Sequence, residues 1–303
     1  MTCLLTIVVP SHNRPDRLHT CLSSLTRFSP PGTRLLVVDD ASPQAAISRV
    51  ACSFKGVELL RRPTQGGFCK AVNAALTQVN SPFVQILNDD TEVTPNFVEP
   101  ILARFTKPSV VAISPLVLSG DHIDSMGDQF FPAGFARKRG HGQTVAAHHL
   151  RPQRIASASG SASFYRTAIL KACGGFAEEF GAYFEDVDLS FRLRRHGEIW
   201  YEPASRIQHH VSSSYGPPCG ELLERQSRNE ELLYWRHLSA EQLLLWLPAH
   251  IGVVALKAWL RWREGNLVPF WRGRRAAWAS LPAILRYRAD GWPESPLTPI
   301  SRL

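Results

Sequence analysis

The chain has 303 residues, of which 44% are hydrophobic and 20% charged, a globular balance rather than a disordered or fibrous one. This length allows one large domain, or one domain with an appendage. The net charge is +8, and from Lys257 to Leu303 nine basic residues face three acidic ones, a bias that favours an anionic partner such as a membrane surface or nucleic acid.

Leu4 to Val9 reads as a strand. It lacks a basic n-region and a small-residue cleavage site, so no signal peptide is expected. Arg17 to Leu25 reads as a helix with Asp16 as N-cap. Strands follow at Leu35 to Val38 and Val57 to Leu60, then a helix at Lys70 to Val79 and a strand at Phe83 to Leu87. A helix at Pro95 to Phe105 and a strand at Val110 to Ile113 complete the βαβ rhythm. The alternation predicts a parallel sheet with helices on both faces. The uninterrupted apolar run Leu35-Leu36-Val37-Val38 fits a strand buried on both sides.

Three strands end in polar residues: Pro10-Ser11-His12-Asn13-Arg14, Asp39-Asp40-Ala41-Ser42 and Asn88-Asp89-Asp90-Thr91. In open parallel sheets ligands bind beyond the carboxyl ends of the strands, so these residues mark one candidate edge. Asn88-Asp89-Asp90 could aim several oxygens at one point, which suits Mg²⁺ or Mn²⁺ carrying a diphosphate. Gln65-Gly66-Gly67-Phe68-Cys69-Lys70 precedes a helix, where glycines let backbone approach a ligand and Lys70 could meet a phosphate. Neither a Walker nor a dinucleotide-binding fingerprint is present; a turn with a surface lysine explains the segment equally well.

Residues 119 to 150 are rich in Gly, His and Arg, and predict a long loop or a short antiparallel insertion. Order returns from Ser157 to Gly197, with Gly160 and Gly174-Gly175 as turn signals. Within it, Glu185-Asp186-Val187-Asp188 places three carboxylates in four positions. Acids this close repel one another, so a metal, a bound cation or proton transfer is the functional explanation. A helix N-terminus with an Asp188–Arg192 pair is the structural one. His209, approached by an apolar strand-like run and followed by Ser212-Ser213-Ser214, is a second candidate ligand; His210 is its rival.

The region after Gly220 reads as helical and cationic. Its longest apolar run, Leu243 to Leu256, holds Pro248 and His250 and is too short to span a bilayer. All eight tryptophans lie at or after Trp200. On a helix Trp259 and Trp262 share one face, with Lys257 and Arg261 nearly opposite, the pattern of an interfacial helix among anionic headgroups. Packing on the rest of the chain, or a homo-oligomer interface, are the other uses of these helices. No recognition motif accompanies the basic residues, so nucleic-acid binding is not expected. The six cysteines are scattered without C-x-x-C spacing, as in a reducing compartment.

Taken in order, Val8 to Arg14, Val37 to Ser42, Gly67 to Asn73, Leu87 to Val93, Gly174-Gly175-Phe176, Glu185 to Leu189 and His209 resemble the family 2 glycosyltransferases. The likeness covers roughly residues 4 to 215 and is nearest to bacterial rhamnosyltransferase-like enzymes of surface polysaccharide synthesis. The resemblance implies an A-type glycosyltransferase fold, α/β, with a mostly parallel nucleotide-binding sheet over 1–220 (1–115 for the nucleotide sugar, 116–220 for the acceptor). A helical basic and Trp-rich extension follows at 221–303.

The same resemblance implies an inverting, metal-dependent transfer from a nucleotide-diphosphate sugar to a glycan or lipid-linked acceptor, in the cytoplasm or on the inner membrane face. Pro10, Ser11, Asn13, Arg14 and Asp39 would hold the nucleoside, with Gly67, Lys70 and Asn88 beside them. Asp89 would hold the ribose, and Asp90 with His209 a divalent Mn²⁺ or Mg²⁺. Asp186 would be the base and Glu185 would orient the acceptor, with Gly160 beside it. Two positions depart from the family pattern. Gln65 replaces a common Asn, and Asn88 stands first in the usual D-x-D triplet, where an amide gives a metal less charge. A sugar nucleotidyltransferase would instead carry a glycine- and basic-rich loop after the first strand. A non-catalytic sugar-nucleotide binder would need no Glu185-Asp186.

Overall fold

The run Leu35 to Val38 has no polar face because both sides of its strand are covered. In the computed structural model, which describes residues 3–210 and 220–289, Val37 packs into one hydrophobic cluster and Leu36 and Val38 into another on the opposite face. The chain runs β1 (Leu5–Ser11), α1 (Pro15–Phe28), β2 (Arg34–Asp39), α2 (Ala46–Ser53), β3 (Val57–Arg61), α3 (Phe68–Leu76), β4 (Phe83–Ile86), β5 (Thr91–Val93) and α4 (Glu99–Phe105). It continues through β6 (Val110–Ser119), β7 (His122–Ser125), β8 (Asp128–Phe131), β9 (Phe135–Lys138), β10 (Gln153–Arg154), β11 (Phe164–Arg166), α5 (Thr167–Ala172), α6 (Glu185–Leu193) and β12 (Glu198–His209). Four helices close the described chain: α7 (Gly220–His237), α8 (Ala240–Arg263), α9 (Leu267–Ala279) and α10 (Leu281–Ala289).

The main sheet has the strand order β10-β12-β6-β11-β4-β1-β2-β3. The strands β4, β1, β2 and β3 are parallel, as the βαβ rhythm predicts. The expected parallel continuation to the next strand is interrupted. β11 enters antiparallel between β4 and β6, a non-local pairing that no local periodicity signals. β6 extends well past the predicted Val110 to Ile113, because β12 runs parallel beside it and β7 folds back on its far end. Residues 119 to 150 form a short antiparallel insertion, with β8 and β9 as a separate hairpin.

Two local expectations change. Asp16 is not the N-cap. Arg14 occupies that position without a side-chain cap, Pro15 opens α1, and Asp16 sits in the first turn, where its charge faces the helix N-terminus. The apolar run Leu243 to Leu256 belongs to a 24-residue helix that is long and apolar enough to cross a membrane by length and composition. The helix continues beyond both ends of that run, and Pro248 does not end it.

The segment from residue 221, read from sequence as an extension, is tied to the rest of the fold through α7. Leu232, Leu233 and Tyr234 share a hydrophobic cluster with Phe130, Phe180 and Val187. Asn229 donates to the carbonyls of Phe180, Ala182 and Tyr183 at 2.8–3.0 Å. The expected Ser212-Ser213-Ser214 loop and the chain beyond Ala289 lie outside the described residues.

Candidate active site

β4 ends at Ile86 and the chain turns through Asn88-Asp89-Asp90, which buries both acids. Ser11, at the end of neighbouring β1, donates to Asp89 Oδ2 at 2.5 Å. Arg14 straddles both carboxylates, 2.5 Å from Asp89 and 3.1 Å from Asp90. Burial pushes the Asp89 carboxyl up to about 6, against the pull of Arg14 and Ser11. Burial also acts to raise Asp90, but His209 and Arg14 outweigh it and hold this group below the ordinary value.

His209 closes the other side. Its Nε2 lies 3.1 Å from Asp90 Oδ1 and its Nδ1 donates to Asp124 Oδ2 at 3.0 Å. Burial alone would lower this imidazole, but the hydrogen bonds to the two carboxylates raise it to about 9. Asp124 is held at about 2, against burial, by His209 and by Lys138, whose Nζ is 2.8 Å away. His210 points elsewhere, to Glu92 on the surface, so geometry distinguishes the two histidines.

One carboxylate and one imidazole thus converge. No cluster of three or more His, Cys, Asp or Glu suited to a metal is present among the described residues. Hard divalent ions usually take few protein ligands and complete their shell with water and phosphate oxygens. Nε2 of His209 lies against Asp90 and the other ring nitrogen is fixed on a carboxylate, the arrangement of a ligating histidine once the metal has displaced the Nε2 proton. The donor set therefore fits Mn²⁺ or Mg²⁺ on Asp90 and His209.

The remaining predicted nucleotide-side residues divide. Pro10 and Ser11 are buried at the strand end, and Asn13 is exposed, with a positive φ of 55° and its N–H on Ser42 Oγ. Asp39 is fully buried and its carboxylate is engaged by Ser42 N–H, the Ser48 hydroxyl and Arg61. Asp39 therefore shapes the loop from 42 to 48, and a nucleoside reaching it must displace one of these groups. Gly66 and Gly67 donate their N–H groups to Asp40 at 3.0 and 2.7 Å, which fastens the glycine loop to β2. Lys70 is exposed on α3.

The acid cluster opens α6. Tyr183 and Phe184 just before it have φ values of 71° and 67°, uncommon for bulky residues and a store of backbone strain at this corner. Asn229 of α7 pins the carbonyl of Tyr183 at 2.9 Å. Asp188 forms the expected pair with Arg192 at 2.7 Å, and Arg236 and His237 of α7 reach it as well. Asp188 is therefore structural: it locks α6 to α7, and the charge of Arg192 with the hydrogen bond from His237 outweighs burial to keep it ionised. Glu185 is buried, and its Oε2 has no hydrogen-bond partner among the described residues. Burial and the adjacent Asp186 charge raise its carboxyl, so it is protonated near neutral pH.

Asp186 accepts the Gly160 N–H at 2.7 Å and its neighbour Val187 N–H at 2.8 Å. The N–H of Asn88 bonds to the carbonyl of Ser161 at 2.9 Å. Two consecutive residues, Gly160 and Ser161, thus join the acid cluster to the Asn88-Asp89-Asp90 turn. Gly160, expected near the acceptor, holds the carboxylate of Asp186. Sequence reasoning missed Asp124 and Asp128, since neither sits in a recognisable pattern. Burial and the Asp186 charge hold the Asp128 carboxyl well above the ordinary range.

The family model "Glycosyl transferase family 2" matches residues 6–174. A pre-mycofactocin glycosyltransferase of Mycobacterium tuberculosis is 27% identical over 210 residues, covering 68% of this chain, which spans 42% of that protein's length. An N-acetylglucosaminyl-diphospho-decaprenol L-rhamnosyltransferase of Mycobacterium tuberculosis is 25% identical over 268 residues, covering 78% of this chain and 86% of that protein. Among solved structures, the mannosyltransferase PcManGT from Pyrobaculum calidifontis, in complex with GDP-Man and Mn²⁺, superposes with a TM-score of 0.58 at 17% identity, over 96% of this chain and 80% of that one. That likeness confirms the A-type fold.

Proposed function

The chain belongs to glycosyl transferase family 2, and from that premise we propose that it moves a sugar from a nucleotide-diphosphate sugar to a hydroxyl of a glycan or lipid-linked acceptor, with inversion. The observation that carries this reading is the covalent proximity of Gly160 and Ser161: one holds Asp186 and the next anchors the Asn88-Asp89-Asp90 turn. A base and a diphosphate-side acid pair are thereby held at adjoining positions, as a single displacement requires.

Asp90 and His209 would hold the divalent metal, which when bound neutralises charge developing on the leaving diphosphate. Arg14, paired here with both carboxylates, would turn from them to the donor nucleotide. Asp186 takes the proton of the acceptor hydroxyl at a carboxylate oxygen as that hydroxyl attacks the anomeric carbon. The protonated carboxyl of Glu185 orients the acceptor by donating a hydrogen bond. The N–H groups of Gly160 and Val187 fix Asp186 so that its basic oxygen stays in place. The rhamnosyltransferase relative, whose name describes a decaprenol-linked acceptor, supports a lipid-linked acceptor.

The test is thermal stabilisation by a panel of nucleotide diphosphates and their sugars, with and without Mn²⁺, followed by turnover of the Asp186→Asn variant. A metal-dependent shift with one nucleotide names the base and the donor site. Asp186→Asn is expected to keep that shift and lose turnover by about 10²- to 10⁴-fold. Normal turnover in the variant removes Asp186 as base, and no shift with any nucleotide removes the donor site.

A further inference from the structure

α8 carries its polarity inside out. On a straight helix His250 and Lys257, seven residues apart, share one face, and both turn toward the protein. His250 is buried, stacks on Tyr234 at 3.7 Å and bonds to the carbonyl of Ala133 at 3.0 Å. Its Nε2 meets Glu231 at 3.3 Å, and Lys257 pairs with Glu230. Arg274 of α9 joins both glutamates from the other side, so α8 is fastened through a buried charge network.

The opposite face consists of Leu244, Leu245, Ile251, Leu256, Trp259 and Trp262, all exposed. Leu244 and Leu245 are each 74% exposed and Trp262 64%. Eleven of the fourteen exposed large hydrophobic residues in the described chain lie between Leu244 and Leu285. A contiguous apolar face of this kind needs a partner in water.

We propose that this outward face of α8 rests in the headgroup region of an anionic lipid bilayer, with the helix lying in the membrane plane. Two features choose this occupant. The apolar face carries tryptophans toward its C-terminal end, and exposed arginines continue from it: Arg263 at the end of α8, Arg272 and Arg275 on α9, Arg286 on α10. Rings at headgroup level with cations beside anionic lipid is the interfacial arrangement. The inward ties decide between lying and spanning. Crossing the bilayer would strip His250 and Lys257 from Glu231 and Glu230 and leave Arg274 facing the abandoned pair, a heavy cost in a low-dielectric setting. The inference goes beyond sugar transfer, since it rests on α8 and its neighbours alone.

The experiment is flotation of the full chain, without sugar nucleotide, with vesicles of phosphatidylcholine alone or mixed equally with phosphatidylglycerol. Tryptophan emission and light scattering of the free protein are recorded alongside. The wild type is expected to float with the anionic vesicles, to shift its emission to the blue, and to be released by alkaline carbonate. The double variant Leu245→Glu, Leu256→Glu changes only exposed positions. It is expected to melt like the wild type and lose vesicle affinity by at least about tenfold. No flotation of the wild type, or unchanged flotation of the variant, overturns the proposal. A dimer broken by the same variant, without vesicle binding, would assign the face to a second copy. Resistance to carbonate would mean a spanning helix and overturn the in-plane placement. None of these readouts depends on glycosyl transfer, so this proposal and the enzymatic one fail separately.

Discussion

His209 and Asp124 lie 85 residues apart in sequence and meet at 3.0 Å, Nδ1 to carboxylate. Asp124 sits on β7 of the antiparallel insertion and His209 at the end of β12, so the insertion reaches back to orient the candidate metal ligand. Lys138, on the β8–β9 hairpin, holds the same carboxylate. The segment from 119 to 150 therefore belongs to the candidate metal site.

Asp124→Asn removes the charge that fixes the ring of His209. A second carboxylate behind a ligating histidine typically contributes 10- to 100-fold in metal affinity. Calorimetric titration with Mn²⁺ should show about that loss, while Lys138→Met should show a smaller one. An unchanged Mn²⁺ affinity in Asp124→Asn would separate His209 from the metal.

Gly160 has no room for a side chain on the base side. A Cβ there would lie 3.0 Å from Asp186 Oδ2 and 3.3 Å from its Cβ, so Gly160→Ala must push the carboxylate aside. Small misplacements of a reacting group cost much rate. The expected result is a fall in kcat of about 10- to 100-fold with unchanged nucleotide affinity, measured by steady-state kinetics and thermal shift on the same preparation.

Glu231 sets an acid limit on stability. Burial raises its carboxyl, but His250, Arg274 and Trp278 outweigh it and bring it from 4.5 to about 2. A carboxyl lowered on folding stabilises the fold above its unfolded value, and that contribution fades as pH falls through the folded value. The depression corresponds to about 3 kcal/mol as an upper figure. Denaturant melts should therefore weaken steadily from about pH 5 to about pH 2. Glu231→Gln should be less stable at neutral pH and show a flatter slope across that window; an identical slope would remove Glu231 as its source.

At Gly273 the backbone of α9 lies close against that of α7. A Cβ at this position would stand 2.2 Å from the carbonyl oxygen of Glu224 and 2.8 Å from the backbone N of Arg228. Both are helix backbone and cannot rotate away. Gly273→Ala should lower stability by about 1 to 3 kcal/mol through overpacking, despite the better helix propensity of alanine. A stabilised variant in chemical denaturation would show that the two helices can part without cost.

The sequence by itself determined the nucleotide half. Its apolar strands alternate with helices at short range, and such local periodicity fixes β1 to β4, their parallel direction and the acids at their ends. The acid cluster, the pair Asp188–Arg192 and the family likeness followed from patterns a few residues long. What only the tertiary structure decided depends on contacts between distant segments. These are β11 slipping antiparallel between β4 and β6, Asp124 arriving behind His209, and Gly160 taking hold of Asp186. α7 bracing the strained Tyr183-Phe184 corner is another. The direction of α8 belongs here too. Its composition permits a spanning helix, and only Glu230, Glu231 and Arg274, folded beneath it, turn His250 and Lys257 inward and its apolar face out.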